Sequence, residues 1–187
     1  MLDDEVAGLA EWLRRVTVVV RSGRHSAGAG VVWRRDGLIV TNAHVAASGP
    51  VEVRLADSRV FPGRVVRRDE SRDLAVIATN ARGLAAAEPA DGARPGQLVV
   101  AVGHPLGLAH AVALGVVHAV PAAGPSPLDR LLRMDLRLAP GNSGGPVADT
   151  AGRVLGVSTL IVNGLAHAIP SAAIARFLGE ADTHRAA

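Results

Sequence analysis

The chain has 187 residues, nearly half of them apolar, with 20 basic against 17 acidic residues and a formal net charge of +3. That is enough apolar material for a core without covalent staples, and the absence of cysteine excludes disulfides, a thiolate nucleophile and cysteine-ligated metal. Every basic residue is arginine and tyrosine is absent, so the aromatic platforms that base stacking needs are scarce and no nucleic-acid partner is expected.

Residues 3 to 14 have the spacing of an amphipathic helix, with Val6, Leu9, Ala10 and Leu13 on one face. Asp3 and Asp4 suit its N-terminus, and Arg14 and Arg15 its C-terminus. This acidic start lacks the basic flank and apolar run of a secretion signal, and no stretch reaches the ~18 apolar residues of a membrane span. The chain as given is therefore expected in the cytoplasm, or outside it if an N-terminal segment has been removed. Short strand-like runs follow at 17–21, 30–33, 37–41, 51–55, 59–68 and 73–79. Arg67 and Arg68, the nearest approach to a basic patch, read as a solvated strand end. The stretch GLAAAEPADGARPGQ (83–97) has a linker's composition, and strand-like runs resume at 98–103, 111–120, 154–162 and 166–170. Residues 171–179 read as a closing helix with Gly179 just past its end. Many short strands with turns between them predict antiparallel barrels or a sandwich, and the linker favours two barrels.

GNSGGP (141–146) surrounds Ser143 with three glycines, which are costly to order and leave nearby backbone N–H groups uncovered. A serine hydroxyl becomes a useful nucleophile when a base takes its proton and N–H donors receive the oxyanion. If the loop curls, the N–H groups of Gly141 and Ser143 supply those donors. The bland alternative is a tight turn. A nucleophile elbow is excluded because no helical pattern follows.

Of seven histidines, His44 is the expected base, since GLIVTNAHVAA places it just past a strand-like run, at a cleft edge. His25 lies in a polar turn, His184 in the tail and His104 in the turn GHPLG, while His110 and His118 lie within alternating strand patterns. The third member must be a carboxylate able to sit buried and orient the imidazole. Asp73, opening DLAVIA, fits best; Asp135, between Met134 and Leu136, is the rival. GAGVVW (28–33) lacks the last glycine of a dinucleotide-binding loop, and neither a phosphate-binding GK[ST] nor HExxH occurs.

Together these segments resemble the HtrA/Deg branch of the trypsin-like serine proteases. The order His44, Asp73, Ser143 is the chymotrypsin-like one. SAGAGVVWRRDGLIVTNAHVA (26–46), RDLAVI (72–77), RPGQLVVAVGHPLGL (94–108), MDLRLAPGNSGGPV (134–147) and AHAIPSAAI (166–174) are similar to its successive signatures. The likeness runs from about residue 17 to 178, a protease domain with too few residues beyond it for the PDZ domains that usually follow.

The resemblance implies an all-β chymotrypsin-like fold of two antiparallel six-stranded barrels with short terminal helices. Its parts are an N-terminal helix (1–15), first barrel (16–82), linker (83–97), second barrel (98–169), and C-terminal helix and tail (170–187). It implies His44 as base and then acid, Asp73 as orienter, Ser143 as nucleophile, and an oxyanion hole from the N–H groups of Gly141 and Ser143. Ser158 matches the position beside the triad carboxylate that starts the substrate-pairing strand. Leu138, Thr159 and Leu160 point to a small or medium apolar residue before the cut, whereas Arg137 points to an acidic one. DLRLAP stands where the family has DAAINP, and His167 where it has Phe.

The expected activity is endopeptidase cleavage of unfolded or flexible protein segments, without metal or cofactor. The alternative is a latent protease fold retained for binding peptides or a partner. The resemblance also implies homotrimers, for which the first helix with Trp12 could serve, unless it caps a barrel instead.

Overall fold

The computed structural model describes residues 2–23, 26–47 and 49–179. His25 and His184 lie outside the described residues. The first helix, α1 (Leu2–Val16), is slightly longer than its apolar spacing predicts. It caps its own chain: Leu13 and Val16 are fully buried, with Leu9 and Trp12 packed beside them. The Thr17 hydroxyl closes its last turn on the Leu13 carbonyl at 2.7 Å.

The first barrel comprises β1 (Thr17–Ser22), β2 (Ser26–Arg34), β3 (Leu38–Thr41), β4 (Pro50–Arg54), β5 (Val60–Asp69) and β6 (Leu74–Thr79), closed in the order β1-β2-β3-β6-β5-β4. The second comprises β7 (Leu98–Gly103), β8 (Ala111–Ala119), β9 (Leu132–Asp135), β10 (Pro146–Ala148), β11 (Val154–Val162) and β12 (Leu165–Pro170), closed in the order β10-β11-β12-β9-β8-β7. The closing helix α2 (Ser171–Leu178) ends on Gly179 in the left-handed conformation, φ 80°. The expected class, two closed six-stranded antiparallel barrels with short terminal helices, is what the chain adopts.

Ten of the twelve strands coincide with apolar runs. The exceptions are β9 and β10, of four and three residues. Both are too short to show a period, and β10 opens on a proline.

Alternation along each strand divides the apolar side chains between two layers. On β3, Ile39 points into the first barrel, while Val40 joins a layer between the barrels. On β6, Ala75 and Ile77 fill the barrel, while Leu74 and Val76 face outward into that layer. The shared layer draws Trp33 from the first barrel, Val102, Val157 and Ile169 from the second, and Phe177 from α2. Each buried Val, Leu or Ile contributes ~1.5–3 kcal/mol, so the interface locks the barrels together. The stretch 83–97 has a linker's composition but is stitched down, with Ala87 N–H on the Val32 carbonyl and Ala90 N–H on that of Val154, both at 2.8 Å. Among the described residues no helix is long and apolar enough to cross a membrane.

Candidate active site

His44 sits in a tight turn beyond β3, where Val45 and Ala46 N–H groups return to the Asn42 carbonyl at 3.2 and 3.1 Å. The turn has a support that the sequence reading missed. From β5, the Arg68 guanidinium donates to the Ala43 carbonyl at 3.0 Å and the Ala46 carbonyl at 3.1 Å. Arg68 is therefore a brace under the histidine turn rather than a solvated strand end. Its neighbour Arg67 lies 4.3 Å from the centre of the Phe177 ring. The signal was present in the alternation, since adjacent strand residues serve opposite faces.

Asp73 occupies the residue before β6 with φ 53°, a left-handed conformation that aspartate tolerates better than most residues. Its two oxygens each lie 2.9 Å from His44 Nδ1. Oδ1 also accepts the His44 backbone N–H at 3.1 Å, and Oδ2 accepts the Thr159 hydroxyl at 2.5 Å. Burial pushes this carboxyl up, but hydrogen bonds from the His44 ring, Thr159 and the His44 backbone outweigh it and hold it below the ordinary carboxylate value. The rival acid, Asp135, is exposed at the end of β9 in register with Val116.

Thr159, not Ser158, meets the carboxylate. Ser158 pairs with Ala168 and Leu160 with His167, so Thr159 is the extra residue of a bulge on β11. Such a bulge re-aims a side chain, and the threonine hydroxyl is turned across the cleft between the barrels. Ser158 is buried, and its backbone instead clamps the serine loop, accepting Gly144 N–H and donating to the Gly145 carbonyl, both at 2.9 Å.

The serine loop is held on every side. Asn142 donates to the Ala139 carbonyl from both backbone and side chain, each at 3.1 Å. The Gly141 carbonyl accepts His104 N–H at 3.1 Å, and the Ser143 carbonyl accepts Ala29 N–H at 2.8 Å. The Pro140 carbonyl accepts Leu106 N–H at 3.0 Å. In a trans peptide the next N–H points the opposite way, so that of Gly141 faces away from Leu106. Neither Gly141 N–H nor Ser143 N–H donates to a protein acceptor among the described residues.

The glycines answer to packing as well as to uncovered N–H groups. A Cβ on Gly144 (φ 87°) would overlap the Ala29 carbonyl oxygen and the Thr41 hydroxyl, and one on Gly145 the Val102 carbonyl oxygen. Bare backbone is thus required where the loop wedges between the barrels.

Among the described residues, the Ser143 hydroxyl bonds to the Thr159 carbonyl at 3.1 Å and not to the imidazole. Thr159 thus touches both parts of the site, its carbonyl accepting from Ser143 and its hydroxyl donating to Asp73, which in turn holds His44. Of the other residues read as substrate contacts, Leu138 is half-buried against the second-barrel core and Leu160 is exposed beside the cleft. Arg137 is exposed, while His167 is buried opposite Leu160.

Two further histidines meet behind the serine loop. His110 precedes β8 with φ 57° rather than lying within the strand, and its N–H donates to His104 Nδ1 at 3.1 Å. Burial pushes the His104 imidazole down to about 4, and neighbouring His110 adds to the shift. An unfolded histidine titrates near ~6.5. Between those values the unfolded chain binds a proton that the native chain refuses, so stability falls as pH drops from about 6.5 towards 4. The loss, at most roughly 2–3 kcal/mol, should appear in urea midpoints measured from pH 7 to 4.5. His104→Gln should flatten that profile, and an unchanged slope would overturn the assignment.

Two closed barrels, with a histidine–carboxylate pair from the first facing a glycine-rich serine loop from the second, define the chymotrypsin-like serine peptidase class. Residues 28–157 match the family described as the trypsin-like peptidase domain, and the chain belongs to that family. Its relatives carry the HtrA-type names that the sequence resemblance implied. The putative serine protease HhoB of Synechocystis sp. is 36% identical over 128 residues, covering 64% of this chain and 31% of that protein. Protease Do-like 1, chloroplastic, of Arabidopsis thaliana is 35% identical over 141 residues, covering 66% and 30%. Serine protease HTRA2, mitochondrial, of Drosophila persimilis is 34% identical over 167 residues, covering 78% and 39%. The chain thus spans between 30% and 39% of the length of these curated relatives.

Proposed function

We propose that this chain is a serine endopeptidase that cleaves extended segments of unfolded or flexible proteins through an acyl-enzyme. Ser143 is the nucleophile, His44 the general base and then acid, and Asp73 the group that orients the imidazole and balances its charge. The N–H groups of Gly141 and Ser143 receive the oxyanion. The observation that carries this reading is the hydrogen-bonded set linking Ser143, Thr159, Asp73 and His44, drawn from both barrels. The substrate lies as an added strand beside Leu160–Val162, where Leu160 and Ile161 are exposed at the end of β11. Ser143 attacks after its hydroxyl turns about χ1 from the Thr159 carbonyl to the imidazole, an ordinary rotamer change. His44 takes that proton, returns it to the leaving amine, and then activates water for deacylation.

The hydroxyl resting on Thr159 favours one second reading, a latent protease fold that binds peptides or a partner. A serine-directed fluorophosphonate separates the two. The enzyme reading expects stoichiometric labelling that is lost in Ser143→Ala. A folded wild-type chain that resists labelling, yet binds peptides, would establish the latent reading instead.

A further inference from the structure

A cavity of about 550 Å³ opens directly beside the serine loop, with Gly141, Gly28 and Ala27 in its wall. Its size is that of a ligand site. Three arginines reach it from three elements: Arg14 from α1, Arg21 from β1 and Arg54 from β4. The register explains the convergence. Arg21 stands opposite Ala27 on one side and Glu52 on the other, and Val19, two residues earlier on the same face, stands opposite Arg54. Both arginines therefore project from the outer face of the first barrel, the face that meets the serine loop. The small side chain of Ala27 leaves the hollow in front of Arg21 open.

The wall holds no carboxylate among the described residues. Glu52 shares the outer face with the two arginines but is not part of the wall, and it lies 3.7 Å from Arg21 and 3.6 Å from Arg54, too far for a hydrogen bond to either. One carboxylate is thus shared by two guanidiniums, and both arginine side chains are about half exposed. Arg14 is paired with Glu11 at 3.0 Å. The cavity consequently keeps a net positive charge and unused planar donors, the arrangement that takes a carboxylate in bidentate fashion.

Its position assigns it to one part of the substrate. The Ser143 hydroxyl meets the Thr159 carbonyl, next to the exposed end of β11, while the Ser143 carbonyl meets the N–H of Ala29, which follows Gly28 and Ala27 of the cavity wall on β2. A peptide entering along Leu160–Val162 and crossing Ser143 leaves over Gly28 and Ala27, into the cavity. We infer that this pocket selects an acidic side chain, Asp or Glu, in the segment following the scissile bond. The inference rests on the endopeptidase reading for its biological use, while the pocket itself is testable without catalysis.

The test has two arms. Paired fluorogenic peptides carry Glu or Gln at the second and third residues after the cut and are otherwise identical. The Glu peptides should show at least about fivefold higher kcat/KM at low salt, shrinking as ionic strength rises. The preference should fall below twofold in Arg21→Gln/Arg54→Gln and turn towards Lys-bearing peptides in Arg54→Glu. In the second arm, labelled peptides of the same pairs bind to the Ser143→Ala chain, with the same ordering of Kd. Equal binding of Glu and Gln peptides, or a preference indifferent to both sets of variants, would overturn the pocket. Failure of phosphonate labelling with charge-selective binding intact would instead remove the peptidase reading and leave the pocket standing.

Discussion

Asp73→Asn should lower kcat/KM by roughly 10³–10⁴ while leaving the fold intact. Asp73 accepts from three donors, His44 Nδ1, the His44 backbone and the Thr159 hydroxyl. Its carboxyl lies below the ordinary range: burial works against the charge, and those hydrogen bonds overcome it. The charge is therefore present wherever the enzyme would work. Asparagine fits the same left-handed backbone and nearly the same volume, so little stability is at stake. It removes the negative charge that balances the imidazolium, and it places an NH₂ where one of the oxygens stood. If the amide faces Nδ1, the ring takes the wrong tautomer; if the oxygen faces Nδ1, the ring keeps its tautomer but loses its counter-charge. Either orientation impairs the proton transfer. The measurement is kcat/KM on a cleavable peptide beside the melting temperature of each chain. A loss under tenfold, with the melting temperature unchanged, would remove Asp73 from the mechanism.

Gly144→Ala is the second large effect, and it strikes fold and activity together. A methyl there must occupy space held by the Ala29 carbonyl oxygen and the Thr41 hydroxyl, which are themselves bonded at 2.6 Å. It must also accept φ 87°, where an L side chain is strained by about 1–2 kcal/mol. Overpacking adds roughly 1–3 kcal/mol, giving an expected loss of about 3 kcal/mol in denaturant unfolding. Because Ala29 also holds the Ser143 carbonyl, the strain is relieved by moving the nucleophile. A displacement near 1 Å typically costs ~10²-fold in rate. Active-site titration of the folded fraction would separate the two losses. Destabilisation below 1 kcal/mol with full turnover would show that the wedge between the barrels has slack.

The local quantities that a chain carries in its own order were legible before any coordinates. Short apolar, β-rich runs between turn residues marked ten strands, because a strand buried on one or both faces must show its neighbours in its residue types. The helix at 171–178 announced its end through Gly179, and the serine loop through its glycines. The pattern of GNSGGP also identified a place where backbone approaches something closely. What it approaches could not be read there. Ala29, Thr41 and Val102 come from the distant strands β2, β3 and β7, and only the docking of the two barrels brings their atoms to the loop.

The same limit explains the remaining differences. Arg68 reads as a surface residue until β5 is laid beside the His44 turn. Ser158 and Thr159 exchange places because one bulge shifts the register on β11. His104 and His110 are six residues apart and unremarkable in sequence, yet they meet because a bend reverses the chain between β7 and β8.

By itself, then, the order of residues determined ten of the twelve strands, the closing helix, the family and the three side chains on which the chemistry is proposed to turn. Those properties depend on local pattern and on residue type. The tertiary structure alone decided which residue of β11 meets Asp73, what braces His44, and that three arginines from separate elements converge on a cavity walled by Gly141 of the serine loop. Those depend on contacts between segments far apart in the chain, which no local pattern encodes.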